Sequence, residues 1–321
     1  MSAQDDTPGK PRTLAATAPV VLWIAVLLVL VASTIIGAAL ISVEFAAARP
    51  VVRERDAAAW PVARRDDGRV LIAGSGSNLP ITRRLVTAFL RTRPRAELVV
   101  FESIGSTGGV KATYDGVVDL GLISRPLRAS ERRLALTRIP YARVAVVFAV
   151  NRGVRDHSIH GDDLVAIYEG ARRQWSDGQR IVVFQRERGD SSQEAVAEVL
   201  PAFANANEEA YDADMWRVVY HDRAMQEALT STPGAIGLAD LGAVLGDAVP
   251  VKLLAIDGIT PTPETVASGA YPFFKDLAFV SRGPPAGLAA EFLEFVASPA
   301  GQQIIRESGG APLALVPEVS P

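Results

Sequence analysis

Arg69-Val70-Leu71-Ile72-Ala73-Gly74-Ser75-Gly76-Ser77-Asn78-Leu79-Pro80 passes from a short apolar run, through a Gly/Ser turn, into a stretch with helical spacing. The apolar run predicts a buried strand. Leu85, Ala88 and Phe89 then recur on one face of a helix over 80–93, which Pro94 stops. Two more loops repeat the pattern: Ile104-Gly105-Ser106-Thr107-Gly108-Gly109 and Arg186-Glu187-Arg188-Gly189-Asp190-Ser191-Ser192. A helix start leaves about four amide N–H groups unpaired and carries a partial positive charge, so it suits an anion. Each loop taken alone is an ordinary N-capped turn, since Ser, Asn and Gly are common caps. Three in one chain, the third led by arginines, predict an oxyanion cradle.

Outward from these loops, strands alternate with helices. Strands are predicted at 97–102, 118–123, 144–150, 181–184, 216–220, 235–238 and 277–280. Helices are predicted at 109–115, 164–168, 192–204 and 223–229, and over 287–308 with a break at Pro299. This alternation predicts an α/β fold with parallel sheets covered by helices on both faces. Residues 1–18 read as a polar, disordered tail. Residues 19–43 carry no charge and no amphipathic period, and at about 1.5 Å per residue they exceed the roughly 30 Å hydrocarbon core. They predict an uncleaved transmembrane anchor, although Ala46-Ala47-Ala48 could offer a cleavage site. Residues 44–68, with Pro50, Pro61 and alternating Arg and Asp, read as a linker. The flanking charges slightly favour a cytosolic domain, with Lys10 and Arg12 before the apolar span and Arg49, Arg53 and Arg55 after it; the extracytoplasmic placement comes from the resemblance given below.

Composition narrows the function. The 321 residues carry a net charge of −3 without any basic, aromatic-interleaved run, which argues against nucleic acid. The chain has no cysteine, which excludes disulfides, thiolate chemistry and a lipid-modified N-terminal cysteine. His157 and His160 with Asp162 and Asp163 read as a solvated turn rather than a metal site. Gly74-Ser75-Gly76 lacks the third glycine of a dinucleotide fingerprint, and no Gly-x-Ser-x-Gly nucleophile elbow exists. No cofactor and no catalytic set are expected. Trp175, Trp216 and Phe273-Phe274 read as core packing.

The ordered motifs resemble the phosphate-binding proteins of ABC importers, phosphate-type members of the class II periplasmic binding proteins. The matching stretches are 74–80, 105–111, Asp119-Leu120-Gly121 with Arg125-Pro126-Leu127, and Ile167-Tyr168-Glu169-Gly170 with Trp175. The series continues with 186–192, Pro233-Gly234-Ala235-Ile236-Gly237, Tyr271-Pro272 and Ser298-Pro299-Ala300-Gly301-Gln302. The resemblance implies two α/β lobes, 69–142 with 255–321 and 143–254, joined by a hinge and closing over an oxyanion. It implies first-lobe ligand contacts from Ser77, Asn78, Leu79 (through its N–H), Ser106, Thr107 and Ser124. Arg186 becomes the main cationic partner, with Asp190, Ser191 and Ser192 at the next helix start. Delivery of inorganic phosphate to an ABC permease by an extracytoplasmic, membrane-anchored protein is the implied function. A regulatory or sensory membrane protein that keeps the fold without transport is the alternative.

One departure matters. The family places an aspartate after the Asp-x-Gly strand to accept a hydrogen bond from protonated phosphate; here that position is Ser124. Asp190 stands where the family has serine, so the acceptor is expected to have moved to Asp190, with simple helix capping as the other reading.

Overall fold

The computed structural model describes residues 68–319. The expected tail, transmembrane segment and nearly all of the linker lie outside the described residues. The strands are β1 (Arg69–Gly74), β2 (Glu97–Val100), β3 (Leu120–Ile123), β4 (Thr137–Asn151), β5 (Ser158–Ile159), β6 (Val182–Arg186) and β7 (Arg217–Val219). They continue with β8 (Ala235–Asp240), β9 (Val251–Leu253), β10 (Ala255–Ile256), β11 (Phe274–Ser281), β12 (Gly310–Pro312) and β13 (Glu318–Val319). The helices are α1 (Leu79–Thr92), α2 (Gly105–Tyr114), α3 (Ala129–Arg132), α4 (Gly161–Tyr168), α5 (Ser191–Val199) and α6 (Pro201–Asp212). They end with α7 (Asp222–Ser231), α8 (Leu241–Gly246), α9 (Pro263–Ala267), α10 (Leu288–Ala297) and α11 (Pro299–Glu307). Among the described residues no helix is long and apolar enough to cross a membrane.

The sheet order is β2-β1-β3-β11-β4-β8-β6-β7. β1 runs parallel to β2 and β3, and β6 runs parallel to β7 and β8. Between these two parallel units stands β4, 15 residues long rather than the short strand expected over 144–150. Its first part pairs antiparallel with β11 and its last part antiparallel with β8. The expected parallel sheets are therefore present but are joined through an antiparallel centre, giving a two-lobed α/β architecture.

Each lobe has its own core. Ile72, Leu85, Phe89, Leu120, Phe279 and Phe292 pack on one side, with the Phe89 and Phe292 rings 5.6 Å apart. Phe148, Tyr168, Phe203, Ile236 and Phe273 fill the other, with Phe148 and Phe203 at 5.8 Å. Trp175 is buried there and donates Nε1–H to the Gly234 carbonyl, the packing role its sequence context predicts.

Two local departures have physical causes. The single helix expected over 192–204 is two helices, because Pro201 has no N–H to continue α5 and instead opens α6. Helix α2 begins at Gly105, not Gly109, so the Gly/Ser loop forms its first turn. Gly109 is needed inside that helix because a Cβ there would lie 2.7 Å from the Leu122 carbonyl oxygen and 2.9 Å from the Gly74 Cα.

The β4–β11 register slips between Leu277 and Ala278, opposite Pro140, which cannot supply a ladder donor. Tyr141, the residue left over by the slip, is fully buried and stacks on Phe279 at 4.6 Å. Its hydroxyl donates to Asn78 Oδ1 at 3.0 Å, so an irregularity in the central strand braces the first Gly/Ser loop.

Candidate anion site

Ligands of open α/β sheets bind beyond the carboxyl ends of the strands. Here those ends, from both parallel units, face one cleft. β1 delivers Ser75, Gly76 and Ser77, and β2 leads into Ser103 to Thr107. β6 ends at Arg186 and runs through Asp190 and Ser191, while β7 leads into Tyr220, His221 and Asp222. Together these segments and Arg125 line a cavity of about 440 Å³. The starts of α2, α5 and α7 all reach it, so three sets of first-turn amides contribute.

Arg186 is a buried cation of the cavity, with its side chain 6% exposed. Nη2 donates to Asp190 Oδ2 at 3.0 Å, and Nη1 lies 3.1 Å from Asp222 Oδ1. Nε is buried without a hydrogen-bond acceptor, with Glu187 Oε2 at 3.7 Å. Burial works against the charge of Arg186, but Asp190 and Asp222 outweigh it and raise its pKa. Burial likewise pushes Asp190 up, yet Arg186, Lys275 and the Ser192 N–H hold it below the usual aspartate range. Asp222 goes the other way: enclosure by the cleft walls, with Asp240 and Asp190 adding, raises it despite Arg186. Asp222 keeps 40% of its side chain open to the cleft. A Cβ on Gly76 would lie 2.3 Å from the Asp222 Oδ2, so a larger residue there would displace this carboxylate.

A layer of hydroxyls lies behind the cavity wall. Ser124 Oγ is 2.8 Å from both Ser75 Oγ and Ser191 Oγ and 3.4 Å from Ser106 Oγ, and its N–H donates to Ser106 Oγ. Beside it the Lys275 ammonium donates to Ser77 Oγ (2.8 Å), Ser192 Oγ (2.8 Å) and Ser191 Oγ (3.1 Å). The same ammonium forms an ion pair with Asp240 Oδ1 at 2.9 Å, both side chains being nearly inaccessible.

Of the residues singled out from sequence, Ser77, Ser106, Thr107, Arg186, Asp190 and Ser191 line the cavity together. Asn78, Leu79, Ser124 and Ser192 stand behind the lining. Asn78 commits its amide to the Ile123 carbonyl and the Tyr141 hydroxyl, and its N–H donates to the Ser75 carbonyl. The Leu79 N–H is turned to the Gly76 carbonyl, closing a short 3-10 turn. Asp190 uses Oδ1 for the Ser192 N–H and Oδ2 for Arg186, so both oxygens serve their own loop. Thr107 Oγ1 accepts from Arg125, whose guanidinium is clamped by Glu131 at 2.7 and 2.8 Å.

Sequence reasoning missed Asp222 and Lys275. Asp222 opens a helix with no Gly/Ser motif before it, so no loop pattern marked it. Lys275 is a lone cation entering a strand that is otherwise buried, and that anomaly was its only signal.

A family model described as a PBP superfamily domain matches residues 61–300. The chain belongs to the PBP superfamily. Among its superfamily relatives, the phosphate-binding protein PstS of Bacillus subtilis (strain 168) is 29% identical over 258 residues, covering 77% of this chain and 81% of that one. A substrate-binding protein from Clostridium perfringens, solved with bound phosphate, superposes with a TM-score of 0.68 at 22% identity, over 77% of this chain and 100% of that one. An ABC-type phosphate transport receptor from Vibrio cholerae gives 0.56 at 22% identity, over 75% and 99%. These structures share the two-lobed PBP fold.

Proposed function

We propose that this protein captures inorganic phosphate in the cleft and delivers it to an ABC permease, by binding and not by turnover. The observation that carries the reading is the convergence of strand ends from both parallel units, with the buried Arg186, on a single cavity. The relationship to phosphate-binding PstS proteins supports the choice of ligand. A dehydrated anion is costly unless its oxygens are fully hydrogen-bonded. First-turn amides of α2 and α5, the hydroxyls of Ser77, Ser106, Thr107 and Ser191, and the Arg186 guanidinium supply those bonds. Asp190 and Asp222 hold that guanidinium in place, so its charge stands fixed at the cavity.

Closure brings residues 69–142 with 255–321 toward 143–254. β4 and the returning chain at Phe273, whose carbonyl accepts from the Val146 N–H at 2.9 Å, form the hinge. Ser124 leaves the first lobe without a carboxylate at the floor, and Asp222 fills that need from the α7 start, accepting a hydrogen bond from the protonated oxygen of phosphate. Residues 19–43 anchor the protein in the membrane and hold the domain on the extracytoplasmic side; carbonate-resistant membrane association that is lost on deleting 19–43 tests this.

Calorimetry and thermal melts with phosphate, arsenate, sulfate and molybdate test the central claim. Phosphate at about 100 times its Kd stabilises the native state by roughly 2.7 kcal/mol, a clear rise in Tm. Arg186→Met abolishes that rise. A chain whose Tm and heat signal respond to none of the four anions refutes the function.

A further inference from the structure

Lys275 is a buried ammonium, 3% exposed, on β11 next to β4. It is outside the cavity lining, so it is not a ligand group. An ammonium has three N–H donors and no acceptor. Those donors reach three hydroxyls, Ser77, Ser191 and Ser192, so each of these oxygens is an acceptor toward Lys275. A serine hydroxyl has one proton, and with a lone pair taken from below, that proton is free to point elsewhere. Ser77 and Ser191 both face the cavity. The charge that would make such a buried lysine untenable is matched by Asp240, 2% exposed, at the end of β8.

The same ammonium also joins parts of the chain that fold far apart. Ser77 follows β1 in one parallel unit, whereas Ser191, Ser192 and Asp240 belong to the other. Ser191 in turn contacts Ser124, which contacts Ser75, so the donor order set at Lys275 is passed along the hydroxyl layer.

We propose that Lys275 is a positioning residue of the anion site: from beneath the cavity it fixes Ser77 and Ser191 as donors toward the bound oxyanion and holds the β1 loop against the α5 start. This rests on the phosphate-binding reading above.

The test is phosphate calorimetry on the full chain with a mutant cycle. Lys275→Met leaves Asp240 buried and unpaired and risks misfolding, so Lys275→Met/Asp240→Asn is the working background. That pair is expected to weaken phosphate binding roughly tenfold to a hundredfold, the loss of one or two oriented donors. In the native background Ser77→Ala and Ser191→Ala each weaken binding about tenfold. In the Lys275→Met/Asp240→Asn background each has less than about a threefold further effect, because the donors are already misdirected. A merely structural lysine gives additive losses, and that result overturns the proposal. So does an unchanged affinity in Ser77→Ala and Ser191→Ala, whatever the Lys275 variants do. A native chain that binds no phosphate overturns the function itself, whereas native binding with additive losses removes only the role of Lys275.

Discussion

On the phosphate-binding reading, Asp222→Asn isolates the charge that should separate phosphate from sulfate in this cleft. Sulfate is fully ionised and offers no proton, so a carboxylate facing it repels, whereas protonated phosphate donates to the same carboxylate. Two unit charges about 4 Å apart interact by roughly 4 kcal/mol at an effective dielectric of about 20. Asp222 is 40% exposed, so solvent screening leaves about half of that, ~2 kcal/mol or roughly thirtyfold in sulfate affinity regained by the variant. Phosphate loses a charge-assisted bond, about 1.4 kcal/mol or roughly tenfold. The phosphate-to-sulfate ratio should therefore fall by about 300-fold, read by calorimetry with both anions at one ionic strength. The native protein supplies a second arm. Asp222 titrates above the usual aspartate range, and lowering the pH neutralises it among Arg186, Asp190, Asp240 and Lys275. Sulfate binding by the native chain should strengthen as pH falls through that raised pKa, and the variant should lack this step. An unchanged ratio in Asp222→Asn, or its collapse in Asp190→Asn instead, refutes the assignment.

Asp190 carries the opposite pH signature. Its folded pKa is depressed, so its stabilisation is present above the unfolded aspartate value of about 3.9 and disappears as pH falls through the folded value. Asp190→Asn keeps a good cap but loses the Arg186 pair, costing about 1–2 kcal/mol at neutral pH because Asp222 still pairs with Arg186. In thermal melts from pH 7 to 3 that deficit should shrink in acid; a constant deficit contradicts the pairing. Gly109→Ala should destabilise by roughly 1–2 kcal/mol, because overpacking against backbone outweighs the gain in helix propensity. Gly108→Ala, whose Cβ meets only the Ile104 side chain, should not, and equal denaturation midpoints for the two would refute the close approach.

The parts of the site that share a loop were legible in sequence. A strand, a Gly/Ser turn and a helix start are local patterns, so Ser77, Ser106, Thr107 and the Arg186-to-Ser191 loop could be read as one kind of object before any fold was known. Their convergence follows from topology, since every such loop leaves the same end of a parallel strand. Element boundaries were less legible where one residue decides them: Pro201 splits a helix whose apolar spacing runs on past it. The antiparallel centre was hidden for another reason. β4 is buried along nearly its whole length, so its sequence shows no alternation to mark how far it extends or which neighbours flank it.

Lys275 and Asp222 were illegible because their meaning is set by partners remote in the chain. Lys275 donates to a serine 198 residues away, and nothing near position 275 announces that partner. Ser124 shows the reverse case. Its departure from the family pattern was visible, and it implied that a carboxylate must stand elsewhere in the cleft. Loop-by-loop reading offered Asp190, because it stands where the family has serine. Folded, Asp190 spends both oxygens on its own loop, while Asp222 presents a carboxylate to the open cleft from a helix start that carries no glycine motif. Ser124 is fully buried between Ser75, Ser106 and Ser191, and Ser191 is held by the Lys275 ammonium. A carboxylate at 124 would accept from those hydroxyls and draw the Ser191 proton away from the cavity. A neutral residue suits the hydroxyl layer there, and on the phosphate-binding reading the carboxylate facing the ligand proton is Asp222, on the far wall.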